Sequence, residues 1–138
     1  MTINNAELFM AGFWDWGCLD GCFGETKIKP TDIDGFVERN GRFLIFETKK
    51  PNADIPMGQQ ITFDRLIELG VVTVVIIWGL KNKPERIRLL TSRILIDYPN
   101  ADMETLQHIT RKWFEWADKQ TPAPMFTEGD NKHADRTA

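Results

Sequence analysis

The tetrapeptide Arg39-Asn40-Gly41-Arg42, set between the runs Asp32–Glu38 and Arg42–Lys49, constrains this chain more than any other feature. Asn-Gly is the preferred pair for a two-residue type I′ turn, whose twist matches that of the strands it joins. A strand-like run on each side of it predicts a β-hairpin. The turn also dictates a register by counting outward: Arg39 faces Arg42, Glu38 faces Phe43, Val37 faces Leu44, Phe36 faces Ile45, Gly35 faces Phe46 and Asp34 faces Glu47. The next pair on that face is Asp32 with Lys49.

Other signals surround the hairpin. Glu7–Trp16 reads as a short apolar helix, broken by Gly17, Gly21 and Gly24. Lys50–Pro56 holds two prolines and reads as an irregular connection, and Gly58–Leu69 as a helix stopped by Gly70. Val71–Trp78 is β-branched almost throughout, as expected of a central strand covered on both faces. A charged turn at Lys81-Asn82-Lys83-Pro84 leads to a strand nearer the sheet edge at Arg86–Leu90. Beyond Pro99 and Asn100, the spacing of Met103, Leu106, Ile109, Trp113 and Trp116 predicts a second long helix packed on the sheet. With 138 residues, 42% of them hydrophobic, the expectation is one α/β domain over 1–120 and a disordered tail over 121–138.

Several function classes are excluded by the same reading. Lys plus Arg number 17 against 20 Asp plus Glu, so no whole-chain positive field attracts nucleic acid and any such binding must be local. The first basic residue is Lys27 and no cleavage site follows an apolar core, which predicts a protein that is not exported. The longest apolar run, Val71–Leu80, falls short of the roughly 18 residues of a bilayer span, so no membrane partner is expected. Cys18 and Cys22 are too few for a disulfide framework and suit a reducing cytoplasm.

The hairpin register is where chemistry enters. It brings Asp34, Glu47 and Asp32 together with Lys49 on one face, and like charges on opposed residues repel. Mg²⁺ or Mn²⁺ is the expected compensator, a hard cation that takes one or two protein carboxylates and keeps several waters. A metal beside an ammonium group can orient or deprotonate an attacking water and neutralise charge developing on a phosphoryl group.

Asp34, a hydrophobic hairpin, then Glu47-Thr48-Lys49, with Gly58-Gln59 opening a helix, resemble the PD-(D/E)xK nuclease superfamily, in particular its virus-type replication-repair (VRR-NUC) and phage small-nuclease branch. The likeness covers roughly Pro30 to Trp78. It implies a restriction-endonuclease-like mixed sheet flanked by helices, hydrolysis of DNA phosphodiesters, and the cytoplasm of a bacterium or phage-infected host. It implies that Asp34 and Glu47 bind metal, that Lys49 assists the water, that Gln59 supports the site, and that the Thr48 backbone carbonyl adds a ligand. The proline of the family motif stands at Pro30, nearer Asp32 than Asp34, while the register favours Asp34 as principal ligand, leaving Asp32 to position Lys49 or hold a second ion.

Basic residues concentrate from Glu25 to Arg93, 12 against 9 acidic, permitting a DNA-facing surface of Lys27, Lys29, Lys50, Lys81, Lys83, Arg86 and Arg88. The small size implies that specificity comes from DNA shape, a homodimer or a partner protein. Phe13, Trp14, Trp16 and Phe23 suit a core better than base stacking, and two cysteines with His108 and His133 do not make a zinc site. A nucleic-acid-binding module that keeps the fold without hydrolysis is the rival reading, and retention of Asp34, Glu47 and Lys49 together favours the enzyme.

Overall fold

The computed structural model describes residues 2–122, 124 and 125, so most of the tail read over 121–138 lies outside the described residues. The chain divides into two compact units, Met1–Asp32 and Ile33–Ala138, and the expected domain over 1–120 spans parts of both.

The first unit contains α1 (Thr2–Ala11) and a 3-10 turn at Gly17–Leu19. The helix stops before Gly12, whose N–H closes on the Leu8 carbonyl at 3.1 Å, so it ends well short of the expected Trp16. The aromatics expected in a core are not in one: Phe13 is 62% exposed, Trp14 65%, Trp16 38% and Phe23 39%. Two of them still meet, Trp14 and Trp16, with ring centroids 5.5 Å apart.

The second unit is a five-stranded mixed sheet, in the order β1 (Gly35–Arg39), β2 (Arg42–Lys49), β3 (Val72–Leu80), β4 (Lys83–Leu90), β5 (Leu95–Tyr98). The β1–β2 register is the one the Asn-Gly turn dictates, from Arg39↔Arg42 to Gly35↔Phe46. Asn40 at φ 51° and Gly41 at φ 77° are both left-handed, as a type I′ turn requires. β2 and β3 run parallel, joined across one face by α2 (Met57–Glu68), which places β3 at the centre as expected. β5 has no counterpart in the sequence reading. It is only four residues long, its exposure alternates, and Pro99 follows it, so its apolar signal is weak.

Strand alternation gives the sheet two faces. Leu44, Val75, Ile77 and Ile87 pack with Ile109, Trp113 and Ala117 of α3 (Met103–Asp118), while Ile45, Val74, Ile76 and Trp78 pack with Phe63 of α2. The buried stripe of α3 ends on Ala117, and Trp116, expected on that face, is 43% exposed. Both ends of α3 are held by side chains. Asp102 and Thr105 form a capping box at its start, and Asn40 Nδ2 donates to the carbonyls of Ala117 and Asp118, both at 3.2 Å, at its end. The hairpin turn therefore also satisfies the last carbonyls of the long helix.

Candidate functional site

The odd-numbered residues of β2 face α2, so Glu47 and Lys49 follow Ile45 onto the same side of the sheet, near the C-terminal ends of the two parallel strands. Glu47 is 8% exposed, a carboxylate almost out of water. Such a charge is costly unless it is paired and hydrogen-bonded. Both partners are present: Gln59 Nε2, from the first turn of α2, donates to Glu47 Oε1 at 2.8 Å, and Lys49 Nζ lies 3.5 Å from the same oxygen. Gln59 is half-buried whereas Gln60 is exposed, as expected if Gln59 shares the helix face of Phe63 and Leu66. The other amide atom, Gln59 Oε1, is buried with no hydrogen-bond partner among the described residues.

Asp34 does something different from what the register predicts. β1 begins at Gly35, not at Asp32, and the ladder ends at Gly35↔Phe46. Two residues beyond that pair, the Thr48 N–H would next meet a β1 backbone group, and Asp34 supplies the acceptor instead. Its Oδ2 receives the Thr48 N–H at 2.8 Å and the Thr48 hydroxyl at 3.0 Å. A side chain thus takes over where the strand stops, and Asp is a poor strand former for this kind of reason. In a strand the carbonyl of a residue points to the same edge as its N–H, so the Thr48 carbonyl is directed to the edge that Asp34 occupies.

Asp32 is exposed and belongs to the first unit, as do the exposed Lys27 and Lys29. The expected gathering of three carboxylates is not found: among the described residues no group of three or more His, Cys, Asp and Glu is placed to hold a metal ion. Strand pairing carries only Asp34 into the sheet unit, because β1 has stopped before Asp32 is reached. The remaining donor set is two carboxylates from Asp34 and Glu47, the Thr48 carbonyl, and the partnerless amide oxygen of Gln59. These are hard oxygen donors, and a site with one or two carboxylates fits Mg²⁺ completed by waters. Glu47 Oε2 and Asp34 Oδ1 lie outside the bonds described above, and Gln59 Oε1 has need of a donor such as a water.

The basic residues fall into two sets. Lys49, Lys50, Lys81 and Lys83 line a groove of about 580 Å³ at the end of β2 and β3, on the α3 face of the sheet, with Thr48, Ile77, Met103 and no acidic side chain in its wall. The turn that carries Lys81 and Lys83 depends on Gly79, where an added Cβ would stand 2.3 Å from the Lys83 carbonyl oxygen. Arg86 and Arg88 are committed elsewhere. Arg88 Nε donates to Asp97 Oδ1 at 2.8 Å, and Arg86 lies 3.8 Å from the same carboxylate and stacks over the Trp78 ring at 4.2 Å.

Sequence reasoning missed Trp78 as a support of this site. Trp78 pairs with Lys49 in the parallel ladder, and its indole N–H donates to the Ala53 carbonyl at 2.7 Å. That bond pins the connection leading into α2, and so the turn that delivers Gln59. A tryptophan closing an apolar run was the available signal. Cys18 and Cys22 are free and exposed, and His108 is exposed on α3. No helix among the described residues is long and apolar enough to cross a membrane.

Comparison with protein-family models, with curated proteins and with solved structures finds no match for this chain.

Proposed function

We propose that the protein is a divalent-metal-dependent nuclease with a restriction-endonuclease-like fold that hydrolyses DNA phosphodiester bonds. One observation carries this reading: Glu47, a nearly buried carboxylate, is held on a single oxygen by both Gln59 and Lys49, the residues the family resemblance assigns to one site. A merely structural hairpin edge would leave these side chains in solvent, where exposed pairs contribute little.

In this reading Asp34, Glu47 and the Thr48 carbonyl would hold Mg²⁺ or Mn²⁺, with Gln59 Oε1 accepting from a water. When bound, the ion supplies Lewis-acid polarisation of the phosphoryl oxygens and activation of a water. Gln59 and Lys49 fix the Glu47 carboxylate in one orientation. Lys49 has a second duty, because its ammonium brings a positive charge beside the Glu47 carboxylate, where a scissile phosphate would lie. Lys50, Lys81 and Lys83 bind flanking phosphates without reading sequence. Asp34 fixes the Thr48 backbone against the site edge.

The test is a panel of labelled linear, circular, flapped and branched DNA incubated with Mg²⁺ or Mn²⁺, using wild-type, Glu47→Ala and Asp34→Asn proteins. Cleavage by the wild type alone supports the reading. Salt-sensitive binding without cleavage would replace it with the binding module, and equal cleavage by all three would reject the site.

A further inference from the structure

A second concavity lies on the α3 face of the sheet, away from the Glu47 carboxylate and toward the other end of β3. It is a groove of about 640 Å³ between α3 and the end of β4, within the usual volume range of small-molecule sites. Its wall carries the aromatic rings of Tyr98, Trp113 and Trp116 and the nitrogen groups of Arg93, His108 and Lys112, with no Asp or Glu.

Three features distinguish it from an ordinary surface dent. Trp113 is only 6% exposed, yet its indole Nε1–H is buried with no acceptor among the described residues, where buried donors are nearly always paired. Arg93 stands in a turn braced by the Thr91 hydroxyl, which accepts from the N–H of Arg93 at 3.3 Å and of Ile94 at 3.1 Å. Trp116, at the rim, leaves 43% of its surface in solvent although it sits on a helix whose apolar face is otherwise packed. Among the described residues Lys112 pairs with Glu115 at 3.5 Å, an exposed i,i+3 pair, and such pairs are weak.

We propose that this groove binds a small aromatic anion, its ring against Trp116 and Tyr98 and its carboxylate or phosphate directed to Arg93 and Lys112. The excess of donors and cations over acceptors selects the negative charge, and the aromatic wall selects a flat apolar body. No residue of the Glu47 cluster takes part, so the proposal stands apart from the nuclease reading.

Calorimetric titration of the full chain tests it, with indole-3-acetate and adenosine 5′-monophosphate as carboxylate and phosphate probes. Indole-3-ethanol and adenosine serve as their neutral counterparts. The expected result is saturable binding of at least one anion, about tenfold or more tighter than its neutral counterpart. Which anion binds identifies the head group. Arg93→Ala combined with Lys112→Ala should remove that preference, and Trp116→Ala should weaken both members of the pair. All three positions are exposed, so the fold is kept, and unchanged far-UV circular dichroism checks it. Equal affinity for anion and neutral counterpart, no binding of either anion, or full binding by the double variant would each overturn the proposal.

Discussion

On its α3 side β2 contributes Leu44 and Phe46 to a wholly apolar layer, whereas on its α2 side it contributes Ile45, then Glu47 and Lys49. Ile45 is 4% exposed and Glu47 8%, so the two positions are almost equally removed from water. What separates them is the company they keep. Ile45 meets Phe63 and the valines of β3, and its burial stabilises the fold directly. Glu47 meets Gln59 and Lys49, and the cost of taking these charges out of water offsets much of what their pairing returns, so its burial adds little to the fold. Burial at one end of this face serves stability, and at the other end it holds a charge in a fixed place.

The sharpest way to break this contrast is Glu47→Gln, which keeps shape and one acceptor for Gln59. Metal-dependent cleavage should fall by roughly 10²–10⁴-fold, while stability in urea changes by less than about 1 kcal/mol. The added protection that Mg²⁺ or Mn²⁺ gives against heating should shrink with it, since a ligand of the folded site raises apparent stability. A large loss of stability with cleavage retained would make Glu47 a structural residue. The opposite outcome belongs to Leu44→Ala on the α3 side, where Leu44 is fully buried. That change should cost about 2–5 kcal/mol in denaturant titration, with cleavage per folded molecule unchanged.

Trp78→Phe tests the boundary between the two. It keeps the ring under Arg86 but removes the bond to Ala53, with an expected cost of about 0.5–1.5 kcal/mol. Because the connection to Gln59 is loosened, cleavage should fall about tenfold or more, beyond what that loss of stability explains. Smallest is the acid response of the β4–β5 edge. The Arg88 hydrogen bond, with the Arg88 and Arg86 charges, holds the Asp97 carboxyl below its ordinary value. With the folded-state value the lower one, this contribution is present above the unfolded-chain value of about 3.9 and lost as pH falls through the lowered one. Asp97 is 40% exposed on its side chain, so the contribution is at most about 1 kcal/mol. Asp97→Asn should therefore lower stability near neutral pH by up to that amount and leave the acid region, where the carboxyl is already protonated, almost unmoved, so that the low-pH limb of a stability profile flattens.

Much of the sheet unit was legible because its signals are local. The Asn-Gly turn fixed five residue pairs, the β-branched run marked the central strand, and helix periodicity chose Gln59 over Gln60. What escaped depends on events between distant residues. Nothing in the run from Asp32 says that Asp34 will trade a place in the ladder for the Thr48 N–H. Nor does the spacing on α3 reveal that Ala117 rather than Trp116 closes the buried stripe. The aromatic first unit misled for another reason: apolar residues announce burial only when there is enough chain to bury them, and Phe13 and Trp14 remain exposed.

The parallel pairing of β2 with β3 has a consequence for the order of folding. β1–β2 and β3–β4 each close over a two-residue turn, whereas β2 and β3 meet only after the whole crossover through α2 has been brought round. Closing that longer loop costs more entropy before any contact repays it, so the hairpins form first. Glu47 stands at the end of β2 and Gln59 in the first turn of the crossover helix, so the two become neighbours as α2 docks on the sheet. A chain trapped before that docking would hold two hairpins and a helix, give much of the native circular dichroism, and lack the carboxylate–amide contact altogether. Appearance of the site and docking of α2 are therefore one kinetic event.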